Sequence, residues 1–159
     1  MAVDFFLKID GIPGESTDQK HKNEIDLTSW TWAEANSGSH GAGGGGGAGK
    51  VQMQDFSFTM NVNKASPKLF LACATGQHIK EATLVCRKAG KDQQEYLKIK
   101  FSDLLVSSYQ IGASGSDVPA ETISFNFGKI EKSYAPQKPD GTLDSPVVHN
   151  YSVVTNTGS

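Results

Sequence analysis

Through most of this chain apolar residues recur at every second position, and that spacing limits what it can fold into. Val3, Phe5, Leu7 and Ile9 alternate with Asp4, Phe6, Lys8 and Asp10; Leu97, Ile99 and Phe101 repeat the pattern, as do Ile123, Phe125 and Phe127. Side chains leave a strand on opposite sides in turn, so a period of two sets one face on a core and the other in water. Hairpins of antiparallel sheet follow. A single segment carries helix signals: Ser66 as N-cap, Pro67 at the first helical position, Gly76 as the stop, and an apolar surface of Leu69, Leu71, Ala72 and Cys73 between them. The expectation is an all-β, mainly antiparallel chain, a compact β-barrel of about eight to nine strands with one short flanking α-helix.

An extended glycine-rich loop at 36–50 interrupts this pattern. Residues 38–50 read Gly-Ser-His-Gly-Ala-Gly-Gly-Gly-Gly-Gly-Ala-Gly-Lys and lie between the strand-like runs 25–32 and 51–62. A loop of that length inside a compact domain is expected to be functional or disordered. Its Gly38, Ser39, His40, Gly43, Gly44, Gly45, Gly46, Gly47 and Lys50 are candidates for contact with another subunit. Residues 44–50 also satisfy the phosphate-loop spacing, but Val51 stands where Ser or Thr would hold magnesium, and Phe56, Phe58, Met60 and Val62 continue with a strand period where a helix is needed. No nucleotide is expected.

In the run 25–32 the apolar phase slips by one residue between Ile25-Leu27 and Trp30-Trp32, and a second slip separates Met53 from Phe56. Both predict β-bulges or sharp bends of a curved sheet. Trp30 and Trp32 are read as core with Phe56 and Phe58. The pleat then turns Thr31, and Ser29 beyond the proposed bulge, to the opposite surface. The competing reading is a carbohydrate-binding β-sandwich with the two indoles exposed as a platform.

At 159 residues the chain is read as one domain, 1–159. A formal charge of -2 removes the broad attraction to nucleic acid or to an anionic membrane. No apolar run approaches a membrane span, and the opening Met-Ala-Val-Asp-Phe-Phe-Leu-Lys lacks the features of a signal peptide. Cys73 and Cys86 are expected as reduced thiols, with no metal cluster around them. His21, between Lys20 and Lys22, is read as solvated, and no nucleophile, acid–base pair or cofactor motif accompanies it, so no enzyme activity is expected. From about residue 136 a tail with three prolines is expected to run as an extended arm to a last strand at 147–154.

An ordered set of short motifs resembles the haemolysin-coregulated protein family, Hcp. These are the opening Met-Ala-Val-Asp, Lys8-Ile9, Gly14-Glu15-Ser16, Glu24-Ile25-Asp26, Trp30-Thr31-Trp32, the glycine loop through Gly49-Lys50-Val51, Arg87-Lys88-Ala89-Gly90, Glu95-Tyr96-Leu97, Leu105-Val106-Ser107-Ser108 and Tyr134-Ala135-Pro136-Gln137-Lys138. The likeness runs from the first residue to about Gly141, and the tail beyond is unmatched. It implies a tube subunit of a bacterial type VI secretion system, a homohexameric ring stacking into a hollow tube that resembles phage tail tubes. Effector proteins in the lumen and the spike and sheath of the apparatus are the implied partners. The implied location is the cytoplasm before assembly, then the medium or a target cell. Within such a ring Ser29 and Thr31 become candidates for the channel lining, and the glycine loop for ring stacking.

Overall fold

The computed structural model describes residues 3–38, 50–88 and 93–159. Within them lie β1 (Val3–Ile9), β2 (Ile25–Leu27), β3 (Ser29–Thr31), β4 (Glu34–Asn36), β5 (Val51–Met53), β6 (Phe56–Asn61), α1 (Ser66–Thr75), β7 (Ile79–Lys88), β8 (Glu95–Gly112), β9 (Ala120–Tyr134), β10 (Val147–Ser152) and β11 (Thr157–Gly158). The chain is all-β with a single helix among the described residues, and its strand pairs are antiparallel.

The main sheet runs β11-β10-β9-β8-β7-β1-β2; β6 pairs with 120–125 of β9, on the same edge that β10 takes at 129–134, and carries β3. Contrary to the barrel expectation, the ladder is not a closed circuit. Its two ends, β2 on β1 and β3 on β6, belong to one stretch of chain that turns at Thr28, whose N–H and Oγ1 both donate to the Thr59 carbonyl at 2.9 Å. The apolar phase slip in this stretch is therefore a change of ladder partner and not a bulge. The slip after Met53 has the same cause: β5 pairs with β4 as a separate two-stranded sheet, and the chain then enters the main sheet as β6.

Residues 96–101 and 104–111 belong to one strand, β8. It bends at Asp103, which adopts a left-handed backbone (φ 58°). Across the bend lies Gly128, where a Cβ would come within 3.3 Å of both the Asp103 Cβ and Val154. Two paired strands thus change inward phase together, and Phe101, Leu104, Phe127 and Ile130 all stay on the core.

The core is aromatic at its centre. Phe56 is fully buried, with ring centroids 4.8 Å from Phe101 and 5.0 Å from Phe125. Leu7, Ile25, Met60, Leu84 and Ile123 surround it. The helix lies against β8, with Leu69 and Ala72 buried in the core, Cys73 partly buried against it and the Phe70 ring edge-on to Tyr109 at 6.1 Å; Leu71, expected on the packing surface, is more than half exposed. Gly76 does stop the helix, left-handed at φ 65° with its N–H on the Ala72 carbonyl. Ser66 does not cap the start: its buried hydroxyl donates to the Glu121 carboxylate. The tail is not a plain extended arm. It turns at Asp140 and Gly141, where the Lys138 N–H donates to the Thr142 carbonyl (2.7 Å), before β10 lies along β9.

Candidate functional site

Two surfaces of this sheet differ sharply in charge. Across Ser29–Thr31, Phe56–Asn61, 104–112 and 120–127 the sequence holds one charged residue, Glu121, and that side chain is fully buried. The inward positions are filled by Phe56, Phe58, Met60, Leu104, Val106, Ile123 and Phe125. Since strands alternate, the outward positions carry Ser29 and Thr31 on β3, Ser57 and Thr59 on β6, Thr122, Ser124 and Asn126 on β9, and Ser108 and Gln110 on β8, with Leu105, opposite Asn126, the one large apolar residue among them.

The register sets these side chains in rows. Thr31 is opposite Ser57, Ser57 opposite Ser124 and Ser124 opposite Ser108; Ser29, Thr59, Thr122 and Gln110 form the next row. The result is a continuous hydroxyl and amide surface spanning four strands. Ser29 and Thr31, singled out from the sequence, both lie on it and are exposed. Sequence reasoning missed Ser57, Thr59, Ser108, Gln110, Thr122 and Ser124. Their signal was legible: the polar half of each alternating run is uncharged. One carboxylate stands at the rim, Asp55, which accepts from the Ser107 hydroxyl at 2.5 Å.

Trp30 and Trp32 are half-buried against the core. The Trp30 ring stacks at 6.0 Å from Phe56 and meets Phe5 edge-on, and the Trp32 indole N–H donates to the Gln54 carbonyl at 2.9 Å. The exposed indoles that a carbohydrate platform needs are therefore missing. The phosphate-loop reading fails as well. Lys50 leads into β5, a strand, where a helix N-terminus would have to face the phosphates. Of the loop candidates, Gly38 has a left-handed backbone (φ 57°) with its N–H on Asn36 Oδ1, and Lys50 is exposed. Ser39, His40, Gly43, Gly44, Gly45, Gly46 and Gly47 lie outside the described residues.

The other surface, over β1 and β7, is covered and charged. Phe6 points away from the core yet is 3% exposed, because residues 14–24 fold over it. His21 stacks on its ring at 4.3 Å and the Arg87 guanidinium lies 4.7 Å from its centroid. His21 is buried, not solvated. Its Nδ1 is 3.0 Å from Glu24 and its Nε2 2.6 Å from Glu95. Burial alone raises the Glu95 carboxyl, but the hydrogen bond from His21 and the charges of His21 and Lys98 outweigh it and hold it below its ordinary value.

Arg87 donates two hydrogen bonds to Asp18, both 2.9 Å, and one to Asp4 at 3.1 Å. The bond from Arg87 pulls the Asp18 carboxyl down to about 2, and the same bond pushes the guanidinium up. This cluster pins residues 14–24 to the sheet. Among the described residues no group of His, Cys, Asp and Glu could hold a metal ion, and no helix is long and apolar enough to cross a membrane. Cys73 and Cys86 are free; burial pushes the Cys86 thiol up to about 11, against a smaller opposing hydrogen bond with Trp30.

Comparison with known proteins follows the same outline. The profile of the family described as "Type VI secretion system effector, Hcp" matches residues 6–134. Protein hcp1 of Pseudomonas aeruginosa is 46% identical over 159 residues, covering 98% of each chain. A solved type six secretion system protein superposes with a TM-score of 0.93 at 33% identity, over 99% of this chain and 100% of that one. Hcp1 from Salmonella typhimurium superposes at 0.83 with 37% identity over the whole of both chains. The tail that carried no motif is thus included in these likenesses. The chain belongs to the Hcp family, the tube proteins of the type VI secretion system.

Proposed function

We propose that six copies of this chain close into a ring, that rings stack into a hollow tube, and that the uncharged face of β3, β6, β9 and β8 lines the channel, where effector proteins are held. The carrying observation is that face itself. A solvated sheet surface ordinarily mixes lysine and glutamate among its outward residues, as β7 and the first half of β8 do here. An outward face made of hydroxyls and amides presents donors and acceptors to varied cargo without a large apolar patch that would aggregate. Ring closure needs two different surfaces of the subunit to meet, and stacking needs another contact, for which the glycine-rich residues 38–50 are the candidates. The chain's part is structural and not catalytic. It waits in the cytoplasm, assembles with the spike and sheath of the apparatus, and leaves the cell with the tube.

Negative-stain imaging tests the first step, since rings with a central hole are required. The second test is Thr31→Gln, which adds bulk at symmetric positions of the channel. Rings are expected to form and to capture less of a co-expressed small cargo protein than wild type. Undiminished capture by intact rings would show that Thr31 does not face the channel.

A further inference from the structure

A serine hydroxyl has one proton and two lone pairs, so an isolated serine can donate or accept. One hydrogen-bonded chain on the uncharged face removes that freedom. The Ser107 proton is given to the Asp55 carboxylate at 2.5 Å. Ser107 therefore has none left for Ser124, 2.8 Å away, and Ser124 must be the donor in that contact. Ser124 is then without a proton for Ser108 at 2.5 Å, so Ser108 donates to it. All three protons point toward Asp55, and the free lone pairs are left facing solvent. Neither lysine nor arginine occurs within β3, β6, 104–112 or 120–127 to balance the carboxylate.

We infer that Asp55 is a specificity-determining residue of this face: acting through Ser107, Ser124 and Ser108, it makes the strip an acceptor surface that selects polypeptides presenting N–H donors, foremost lysine and arginine side chains. The inference rests on the reading that this face lines the channel. Charge-assisted hydrogen bonds to a carboxylate are the stronger kind, and repeating one carboxylate around a ring within a walled channel focuses its field on cargo. At this strip a partner rich in carboxylates meets lone pairs and like charge, because the three hydroxyl protons are already committed toward Asp55.

The experiment uses purified rings and two versions of one small folded protein, one with a lysine-rich surface and one with a glutamate-rich surface, and reads the amount retained with rings after gel filtration. Wild-type rings are expected to retain the lysine-rich form about threefold or more over the other, the scale of an exposed charge contact, with the preference fading as salt rises. Asp55→Ala, at an exposed position, removes the charge and frees the serine protons, and the ratio should fall to about one. Asp55→Asn keeps an acceptor for Ser107 without the charge and should also lower the ratio. Equal retention by wild-type rings, or a preference untouched in Asp55→Ala, overturns the inference, while the channel reading stands if Thr31→Gln still lowers retention of both forms. Retention of neither form by rings that sediment intact overturns both.

Discussion

Replacing Arg87 by Met tests whether the covered charged cluster stabilises the subunit, because Met preserves the buried stem and removes the guanidinium. Three interactions are lost: the paired bonds to Asp18, the bond to Asp4, and the contact with the Phe6 ring. Asp18 is at about 2 in the folded chain against an ordinary 3.8, which sets a ceiling of roughly 2 kcal/mol on its pairing. Its side chain is 21% exposed, so solvent screening reduces this to roughly 1 kcal/mol. Asp4 is 43% exposed and contributes about 0.5 kcal/mol at most, and the ring contact roughly another 0.5 to 1. Against these stands relief of the desolvated guanidinium, whose Nε is buried without a partner, worth about 1 kcal/mol. The net loss at pH 7 is about 1 to 1.5 kcal/mol, or a Tm lower by about 3 to 5 °C for a chain of this length.

The pH dependence is the sharper readout. A carboxyl whose folded pKa is depressed contributes fully above its unfolded value of 3.8, and the contribution disappears as pH falls toward about 2. At pH 3 roughly half of the Asp18 contribution remains. Urea denaturation of wild type, Arg87→Met, Asp18→Asn and the double variant, at one protein concentration because assembly adds stability, gives the coupling at each pH. Coupling of about 1 kcal/mol at pH 7 that shrinks by pH 3 is expected. Zero coupling at pH 7, or coupling that does not change with pH, would refute the reasoning.

Gly14→Ala should destabilise the segment over Phe6 by roughly 1 to 3 kcal/mol, since the new Cβ would lie 2.5 Å from the Glu24 carbonyl oxygen and 2.8 Å from the Ile25 Cα, both backbone atoms. Thermal melting measures it, and an unchanged Tm would mean that the strap shifts freely. Both cysteines should titrate as free thiols in denaturant without reductant; in the native chain Cys86 should react far more slowly than Cys73, being 1% exposed and held mostly protonated. Equal native rates would contradict that burial.

Periodicity alone determined the strand-rich class, the inward rows from Phe56 to Met60 and from Ile123 to Phe127, and the helix stop at Gly76, because each is a local consequence of the pleat or of one backbone conformation. The motifs identified the family. Three features needed the tertiary structure. Phase slips have one sequence signature but several causes, and only the ladders distinguish the change of partner at Thr28 from the bend at Asp103. His21 and Phe6 are in polar or outward positions of their segments, and their burial depends on Arg87, Asp18 and Glu95, the last 74 residues from the His21 it meets. The hydroxyl face is the clearest case. Ser29 and Thr31 could be placed on an outward side from their own strand, but Ser57, Ser124 and Ser108 join them only through the register of four strands, and the direction of their protons only through Asp55. Alternation specifies which side a residue faces; strand pairing decides what stands beside it.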